Sequence, residues 1–143
     1  LPLCAALLFS LLLERNQGLF RFFQYMIRFR REYRVLRASL NGGACGFPDV
    51  SVHGAVPWQA RFERYDRYVG VMFSGWERDS GPQVVYVGSN AYWEELEAEL
   101  PQLPASMSWE LRVDTWNEEQ KTWPQHGNRF RIGPRSVKVF VAR

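Results

Sequence analysis

Cysteine and histidine are scarce in this chain of 143 residues. Its cysteines are Cys4 and Cys45, and its histidines are His53 and His126. This set provides neither the disulfide framework of a small secreted domain nor the spacing of a Cys/His zinc site. The sequence therefore predicts no metal and no other cofactor, and it favours a reducing, cytoplasmic setting.

The chain also lacks an apolar run of the roughly 20 residues that a membrane-spanning helix needs. Its most apolar stretch, LPLCAALLFSLLL at residues 1–13, resembles the core of a signal peptide. It has no initiator Met, no basic segment before it and no small-residue cleavage site after it. We therefore expect residues 1–9 to be a truncated or aberrant leading segment of something larger, and we do not expect a membrane partner.

An excess of charge of one sign is absent as well. The net charge is +3, and basic and acidic residues are interspersed, so the sequence predicts no nucleic-acid partner. Hydrophobic residues make up 46% of the chain and aromatic residues 15%, a composition typical of a globular protein. The length is that of one ordinary domain.

Motifs of catalysis are missing too. The chain has no GxSxG, no phosphate-binding glycine loop and no Cys/His nucleophile pair. Clustered carboxylates occur at Glu94, Glu95, Glu97 and Glu99. A charged strand face of this kind is usually only solvated. We interpret His53, before Gly54, as a loop histidine in a turn, and Asp114 as a strand-ending residue that bonds nearby backbone N–H groups. No residue of this chain is therefore predicted to be catalytic.

The first pattern that is present has a period of 3.6 residues. It covers residues 14–37, ERNQGLFRFFQYMIRFRREYRVLR. One face carries the apolar residues Leu19, Phe22, Phe23, Met26, Phe29, Tyr33 and Leu36. The pattern predicts one long amphipathic helix, capped by Ser10 or Asn16 and stopped by the Asn-Gly-Gly at 41–43. We expect Phe22, Met26 and Phe29 to pack and some flanking aromatic residues to stay exposed.

Arg30 lies within the apolar stripe of this predicted helix. A bare guanidinium is costly to desolvate, so we predict that Arg30 is buried and pairs with a carboxylate or with backbone carbonyls. The alternative is that its head group extends along the edge of the stripe to solvent.

After the helix the apolar period changes to two. Short β-branched or aromatic runs occupy residues 68–73, 84–88, 96–100, 109–114, 129–133 and 136–142. We predict an antiparallel β-sandwich with a central strand at 84–87 and an edge strand around 50–52. Alternation predicts one solvent-facing side for the strands at 96–100 and 109–114.

Tryptophan is abundant, with six residues in the chain. Alternation places Trp109 in the core. Trp116 and Trp123 lie in the polar segment DTWNEEQKTWPQHGN and are predicted to be exposed. A flat aromatic face suits the apolar side of glucose, so these two residues are the candidate carbohydrate-binding residues.

Five segments in order carry a resemblance to a known family. They are SLLLERNQGLFRFFQYMIRFRREYRVLR, PDVSVHG, VVYVGSNAYWEELEAELP, WELRVDT and IGPRSVKVFVAR. Together they resemble the C-terminal portion of glycogen debranching enzymes of the isoamylase type, which are α-amylase superfamily glycoside hydrolases. The resemblance covers nearly everything from residue 10 to residue 143. Two departures are Tyr33-Arg34, where the family usually has His-Pro, and Val52, where it has Trp.

The resemblance implies that residues 10–40 contain the last helix of a (β/α)8 barrel and that residues 41–143 form the family's C-terminal β-sandwich. It also implies that the nucleophilic Asp, the acid/base Glu and the stabilising Asp lie on barrel strands upstream of this chain. The implied role is barrel stabilisation in an enzyme that acts on α-glucan such as glycogen or limit dextrin. Two alternatives are a free-standing carbohydrate-binding β-sandwich and a secreted or membrane-tethered interaction domain.

Overall fold

A computed structural model describes residues 2–38, 42–61, 63–117 and 122–143. The chain divides into two compact units, residues 1–32 and residues 33–143. The first unit is helical, and the second contains all the strands. The fold is therefore mainly β, as the sequence predicts.

The helical unit contains two helices, α1 (Pro2–Arg15) and α2 (Gln17–Glu32), so the prediction of one long helix is wrong. Asn16 separates them, and its side-chain Nδ2 donates to Leu12 O at 2.9 Å, which satisfies a carbonyl at the end of α1. Ser10 lies inside α1 and caps nothing. Among the described residues, neither helix has the length and hydropathy needed to cross a membrane.

Helix α2 ends well before the predicted stop at residues 41–43, of which Asn41 lies outside the described residues. Its buried side is narrower than the predicted stripe. Phe29 is buried, and Phe22 and Met26 are half-buried. Phe23, which the predicted stripe included, is about half exposed, and so is the flanking Phe20. Arg30 is exposed, so the prediction that its guanidinium is buried is wrong. It follows Phe29 by one residue, which places it about 100° around the helix from that buried side chain.

The second unit begins with Tyr33 and a single 3₁₀ turn, Arg34–Leu36. Its strands are β1 (Val50–His53), β2 (Tyr68–Glu77), β3 (Gly81–Asn90), β4 (Leu96–Glu99), β5 (Trp109–Asp114), β6 (Trp123–Pro124), β7 (Arg129–Ile132) and β8 (Ser136–Ala142). Six strands form one antiparallel sheet in the order β1-β2-β3-β8-β5-β6, and β4 and β7 form a second, two-stranded antiparallel sheet. The predicted strands are confirmed, including the edge position of β1.

Strand β3 lies between β2 and β8, and Val84, Val85 and Tyr86 are fully buried. The predicted central strand is therefore confirmed. The Tyr86 hydroxyl lies 2.8 Å from that of Tyr68 on β2. Gly70 makes room for the Tyr86 ring, because a Cβ at position 70 would collide with the hydroxyl of Tyr86. Burial raises the pKa of Tyr86 to about 12 and raises the pKa of Tyr68 as well, so both phenols are neutral hydrogen-bonding groups of the core.

Side chains of the two sheets contact each other in the core. Phe130 on β7 lies 4.8 Å from Phe140 on β8 and 6.5 Å from Tyr86, measured between ring centroids. Ala98 on β4 and Ile132 on β7 are buried in the same cluster. Burial of these apolar residues against the six-stranded sheet gives the small sheet its stabilisation.

The predicted alternation holds for β4 but not for β5. In β5 the supposed solvent-facing residues are half-buried or buried, and Asp114 is only 8% exposed. The register of β5 against β8 shifts between Leu111 and Val113, and Lys138 on β8 lies 3.4 Å from Asp114 Oδ2. The ion pair with Lys138 on the neighbouring strand therefore offsets part of the cost of burying the Asp114 carboxylate.

Candidate functional site

The two predicted carbohydrate-binding residues are both exposed, Trp116 at 61% and Trp123 at 55%. Trp116 covers Gly133, where an added Cβ would lie 2.6 Å from Cγ of the indole. Trp123 belongs to β6 and pairs with Leu111 of β5, so the polar segment around it contains a short strand. Residues 118–121 between the two lie outside the described residues. The predicted exposure is confirmed, whereas sugar binding remains a prediction.

Glutamates in β4 and just before it face arginines of β7 across the two-stranded sheet. Glu95 Oε1 lies 3.3 Å from Arg131 Nη1, and Glu99 Oε1 lies 3.1 Å from Arg129 Nε. Glu97 is 4.0 Å from the same Arg129. Exposed cross-strand pairs of this kind contribute up to about 1 kcal/mol each, and they occupy the carboxylates with neighbouring cations.

Asp114 makes the contacts that the sequence predicts. Its Oδ1 accepts a hydrogen bond from the backbone N–H of Trp116 at 3.0 Å, and its Oδ2 accepts one from Asn117 Nδ2 at 3.3 Å. Asp114 is thus a structural residue at the end of β5.

The sequence pattern predicts that His53 is a loop residue, and this prediction is wrong. His53 is the last residue of β1, and it is 1% exposed. Its Nδ1 accepts the backbone N–H of Trp58 at 2.9 Å, and the indole of Trp58 packs against the imidazole at 4.5 Å. Because Nδ1 is an acceptor, Nε2 carries the proton of the neutral ring and donates to Ser51 Oγ at 2.8 Å. Burial lowers the pKa of His53, which keeps the ring neutral.

A second polar cluster is built around Tyr33, the first residue of the unit 33–143, which we call the β unit. The Tyr33 hydroxyl accepts hydrogen bonds from Arg112 Nη1 at 2.9 Å and from Arg143 Nη2 at 3.4 Å. Glu110 Oε1 lies 3.3 Å from Arg143 Nε and 3.8 Å from Arg112 Nη1. These contacts join the segment after α2 to β5 and to the end of β8.

An open groove of about 530 Å³ lies where the segment after β1 and the start of β2 meet the connection from β3 to β4. We call it the Tyr92 groove. Its lining consists of Gly54, Ala55, Val56, Gln59, Arg61, Tyr65, Asp66, Arg67, Tyr68, Tyr92 and Leu96. Its volume is within the range of about 300–1,000 Å³ that ligand sites occupy. The lining combines aromatic rings with both donors and acceptors of hydrogen bonds.

Tyr92 and Arg67 form one wall of the Tyr92 groove, and Trp93, which is outside the lining, packs against Tyr92. The guanidinium carbon of Arg67 lies 4.0 Å from the centroid of the Tyr92 ring and 5.2 Å from that of Trp93. The two rings are 4.3 Å apart, and Trp93 is 62% exposed. Cation–π contacts of this kind contribute about 0.5–1 kcal/mol at exposed positions.

Backbone bonds hold this wall in place. Asn90 Oδ1 accepts the N–H of Tyr92 at 2.8 Å, and the N–H of Arg135 donates to Tyr92 O at 2.9 Å. The N–H of Ala91 donates to Arg67 O at 2.8 Å, which ties the two segments together. The sequence contains a signal for this wall: the adjacent aromatic residues Tyr92 and Trp93 interrupt the period of two between strands. The contact of Tyr92 with Arg67, which is 25 positions earlier in the chain, has no local signal in the sequence.

Within the part of the chain that the structure describes, no group of three or more His, Cys, Asp or Glu side chains could hold a metal ion. No protein-family model matches the sequence, and a search of curated proteins finds no match to it.

Proposed function

We propose that this chain is a C-terminal accessory region of an α-1,6-glucan debranching hydrolase of the isoamylase type, and that it stabilises the catalytic barrel without being catalytic by itself. The proposal rests on the ordered sequence segments that resemble this family. The observation on the structure that best supports it is the apolar surface of the two helices.

Large apolar side chains of α1 and α2 are exposed to an unusual extent. They are Leu7, Leu8, Phe9, Leu11, Leu12, Leu19, Phe20, Phe23 and Ile27. Soluble monomers rarely leave extensive apolar surface in water, and such surface is typical of an interaction site. A catalytic barrel is the partner that the family resemblance provides for these helices.

We further infer that the six-stranded and two-stranded sheets are the two layers of a β-sandwich of the kind that the family resemblance implies. The contacts of Phe130 on β7 with Phe140 and Tyr86 on the larger sheet support this inference. A core shared between two sheets is the usual organisation of such a sandwich.

The absence of catalysis from the chain alone follows from the chemistry of glycoside cleavage. A retaining enzyme holds two carboxyl groups about 5 Å apart in a cleft, one as nucleophile and one as acid/base. Glu95, just before β4, and Glu99 in β4 instead form ion pairs with arginines of β7 on an exposed sheet face. In the complete enzyme that we propose, the barrel supplies both carboxyl groups, and cleavage proceeds through a covalent glycosyl-enzyme.

A fusion experiment tests the proposed role. This chain is joined behind the barrel of an isoamylase-type enzyme whose own C-terminal region has been removed. We expect a higher thermal midpoint and more linear maltooligosaccharide released from limit dextrin than for the barrel alone. Ile27→Glu should abolish the gain, because it places a charge on the apolar surface, whereas Arg28→Glu at an exposed position should preserve it. A fusion no more stable than the barrel alone would contradict the proposal.

The isolated chain provides a second test of the same proposal. Incubated with pullulan or glycogen, it should produce no new reducing ends. Turnover that is lost on Glu95→Gln, Glu97→Gln or Glu99→Gln would instead make the chain an enzyme.

The second candidate function is a free-standing carbohydrate-binding module, and the Tyr92 groove favours it. Strong binding of the isolated chain to glycogen, together with no effect on a barrel, would support this alternative.

A further inference from the structure

We infer that the Tyr92 groove binds a short segment of α-glucan, an inference that rests on the proposed function and names the surface that contacts the substrate. The groove, and not the separate surfaces of Trp116 and Trp123, combines an aromatic wall with concave shape. Neither of those tryptophans contributes to its lining.

The aromatic groups in the groove fit one side of a glucose ring. Glucose has flat faces of C–H groups and an edge of hydroxyl groups, so it stacks on aromatic rings. Tyr65 is 74% exposed, and Trp93 extends the wall beyond Tyr92 with 62% of its surface exposed. The Arg67 guanidinium lies over the Tyr92 ring and covers one of its faces, so Tyr65 and Trp93 supply the exposed aromatic surface for stacking.

The polar groups of the lining fit the hydroxyl edge of a sugar. Arg61 and Arg67 supply hydrogen-bond donors, Asp66 supplies an acceptor, and Gln59 supplies both. A hydroxyl group both donates and accepts, so a polyol can use this whole set. The lining carries two arginines and one aspartate, so competition by phosphate decides whether the groove prefers a polyol or an anion.

The wall is also organised before a ligand arrives. The bonds from Asn90 and Arg135 fix the backbone of Tyr92, and the bond from Ala91 fixes Arg67 beside it. A site that is already ordered loses less conformational entropy on binding. Because less entropy is lost, weak contacts are enough for measurable binding of a neutral sugar.

The experiment is a titration of the full chain with maltoheptaose, followed by tryptophan fluorescence and by calorimetry. We expect saturation with a dissociation constant of about 1 mM or below, which corresponds to about 4 kcal/mol. Arg67→Met and Tyr65→Ala should each weaken binding about tenfold. Trp116→Ala and Trp123→Ala should change it less than twofold, and inorganic phosphate at the same concentrations should not compete. Because the Tyr65 side chain is mostly exposed, Tyr65→Ala should fold even if Arg67→Met does not.

Three results would overturn the inference: no binding of maltoheptaose by the full chain, binding lost in Trp116→Ala or Trp123→Ala but kept in Tyr65→Ala, or displacement of the sugar by phosphate. A chain that stabilises the barrel in the fusion but does not bind maltoheptaose would leave the proposed function intact and reject only the groove.

Discussion

Asn90 is a buried polar residue whose replacement should lower the unfolding free energy of the β unit. It is 1% exposed, and its Nδ2 group lies 2.8 Å from Glu94 O, 3.0 Å from Gly133 O and 3.3 Å from Ile132 O. Its Oδ1 accepts the N–H of Tyr92. Three carbonyls on one side and an N–H on the other determine the orientation of the amide.

The expected cost of Asn90→Ala follows from these contacts. The amide has two hydrogens, which the three carbonyls share, and its oxygen accepts one bond, so about three hydrogen bonds are lost. At about 1 kcal/mol each, the variant should lose about 3 kcal/mol of unfolding free energy. With a urea dependence of about 2 kcal/mol per molar, the midpoint should fall by about 1.5 M. Asn90→Asp should cost at least as much, because it aims an acceptor-only carboxylate at three carbonyl oxygens.

The assay is urea unfolding at pH 7 followed by tryptophan fluorescence. All six tryptophans lie within residues 33–143, so the signal reports on the β unit. The control is Asn128→Ala, whose side chain makes an exposed 2.6 Å bond to Gln102 Oε1 and should change stability by less than about 0.5 kcal/mol. Equal midpoint shifts for Asn90→Ala and Asn128→Ala would refute the conclusion that the Asn90 amide holds the end of β3 to the segment before β4 and to the end of β7.

Three further predictions concern other parts of the chain. The pKa of His53 is lowered in the folded state. Below the unfolded pKa of about 6.5 the unfolded state therefore binds more protons, and the free energy of unfolding should decrease as the pH is lowered. His53→Ala should reduce that slope in urea titrations between pH 7 and pH 5, and Asn128→Ala, which removes no titratable group, should not. Arg30→Ala and Arg28→Ala, both at exposed positions, should each change stability by less than about 0.5 kcal/mol by circular dichroism, and a large loss for Arg30→Ala alone would show that it is buried. Gly70→Ala should cost about 1–3 kcal/mol, because its Cβ collides with Tyr86, and an unchanged urea midpoint would contradict that contact.

The strands could be predicted from the sequence because a period of two is a local property of the chain. Val84, Val85 and Tyr86 are apolar in succession, and this pattern is found where both faces of a strand are covered. Prediction failed where a distant partner decides the outcome. Asp114 looks solvent-facing by alternation, but Lys138 on the adjacent strand and the shifted register allow it to be buried.

The end of α2 shows the same limit. The apolar pattern continues to Leu36, yet the helix stops at Glu32. The Val35 N–H bonds to Gln83 Oε1 at 3.2 Å, and the Tyr33 hydroxyl bonds to Arg112. These partners are 48 and 79 positions away, so contacts within the β unit override the helical pattern.

The burial of His53 and the assembly of the candidate groove depend on features without a sequence signal, apart from the adjacent aromatic residues Tyr92 and Trp93. Trp58 adopts a positive φ of 66°, which is uncommon for a residue other than glycine, and its N–H bonds to the His53 ring. The groove forms where two connections meet, so its residues could not be grouped in advance. Exposure of Trp116 and Trp123 could be predicted, because a polar segment surrounds them.

Binding between this chain and a separately produced barrel of an isoamylase-type debranching enzyme, made without its own C-terminal region, tests the central claim most directly. Calorimetric titration should show a saturable one-to-one complex. Phe23→Glu on the apolar surface of α2 should weaken it at least tenfold, while Arg28→Glu should leave it within about twofold. No complex with the unaltered chain, or equal affinities for the chain and Phe23→Glu, would contradict the claim that these helices pack on a catalytic barrel.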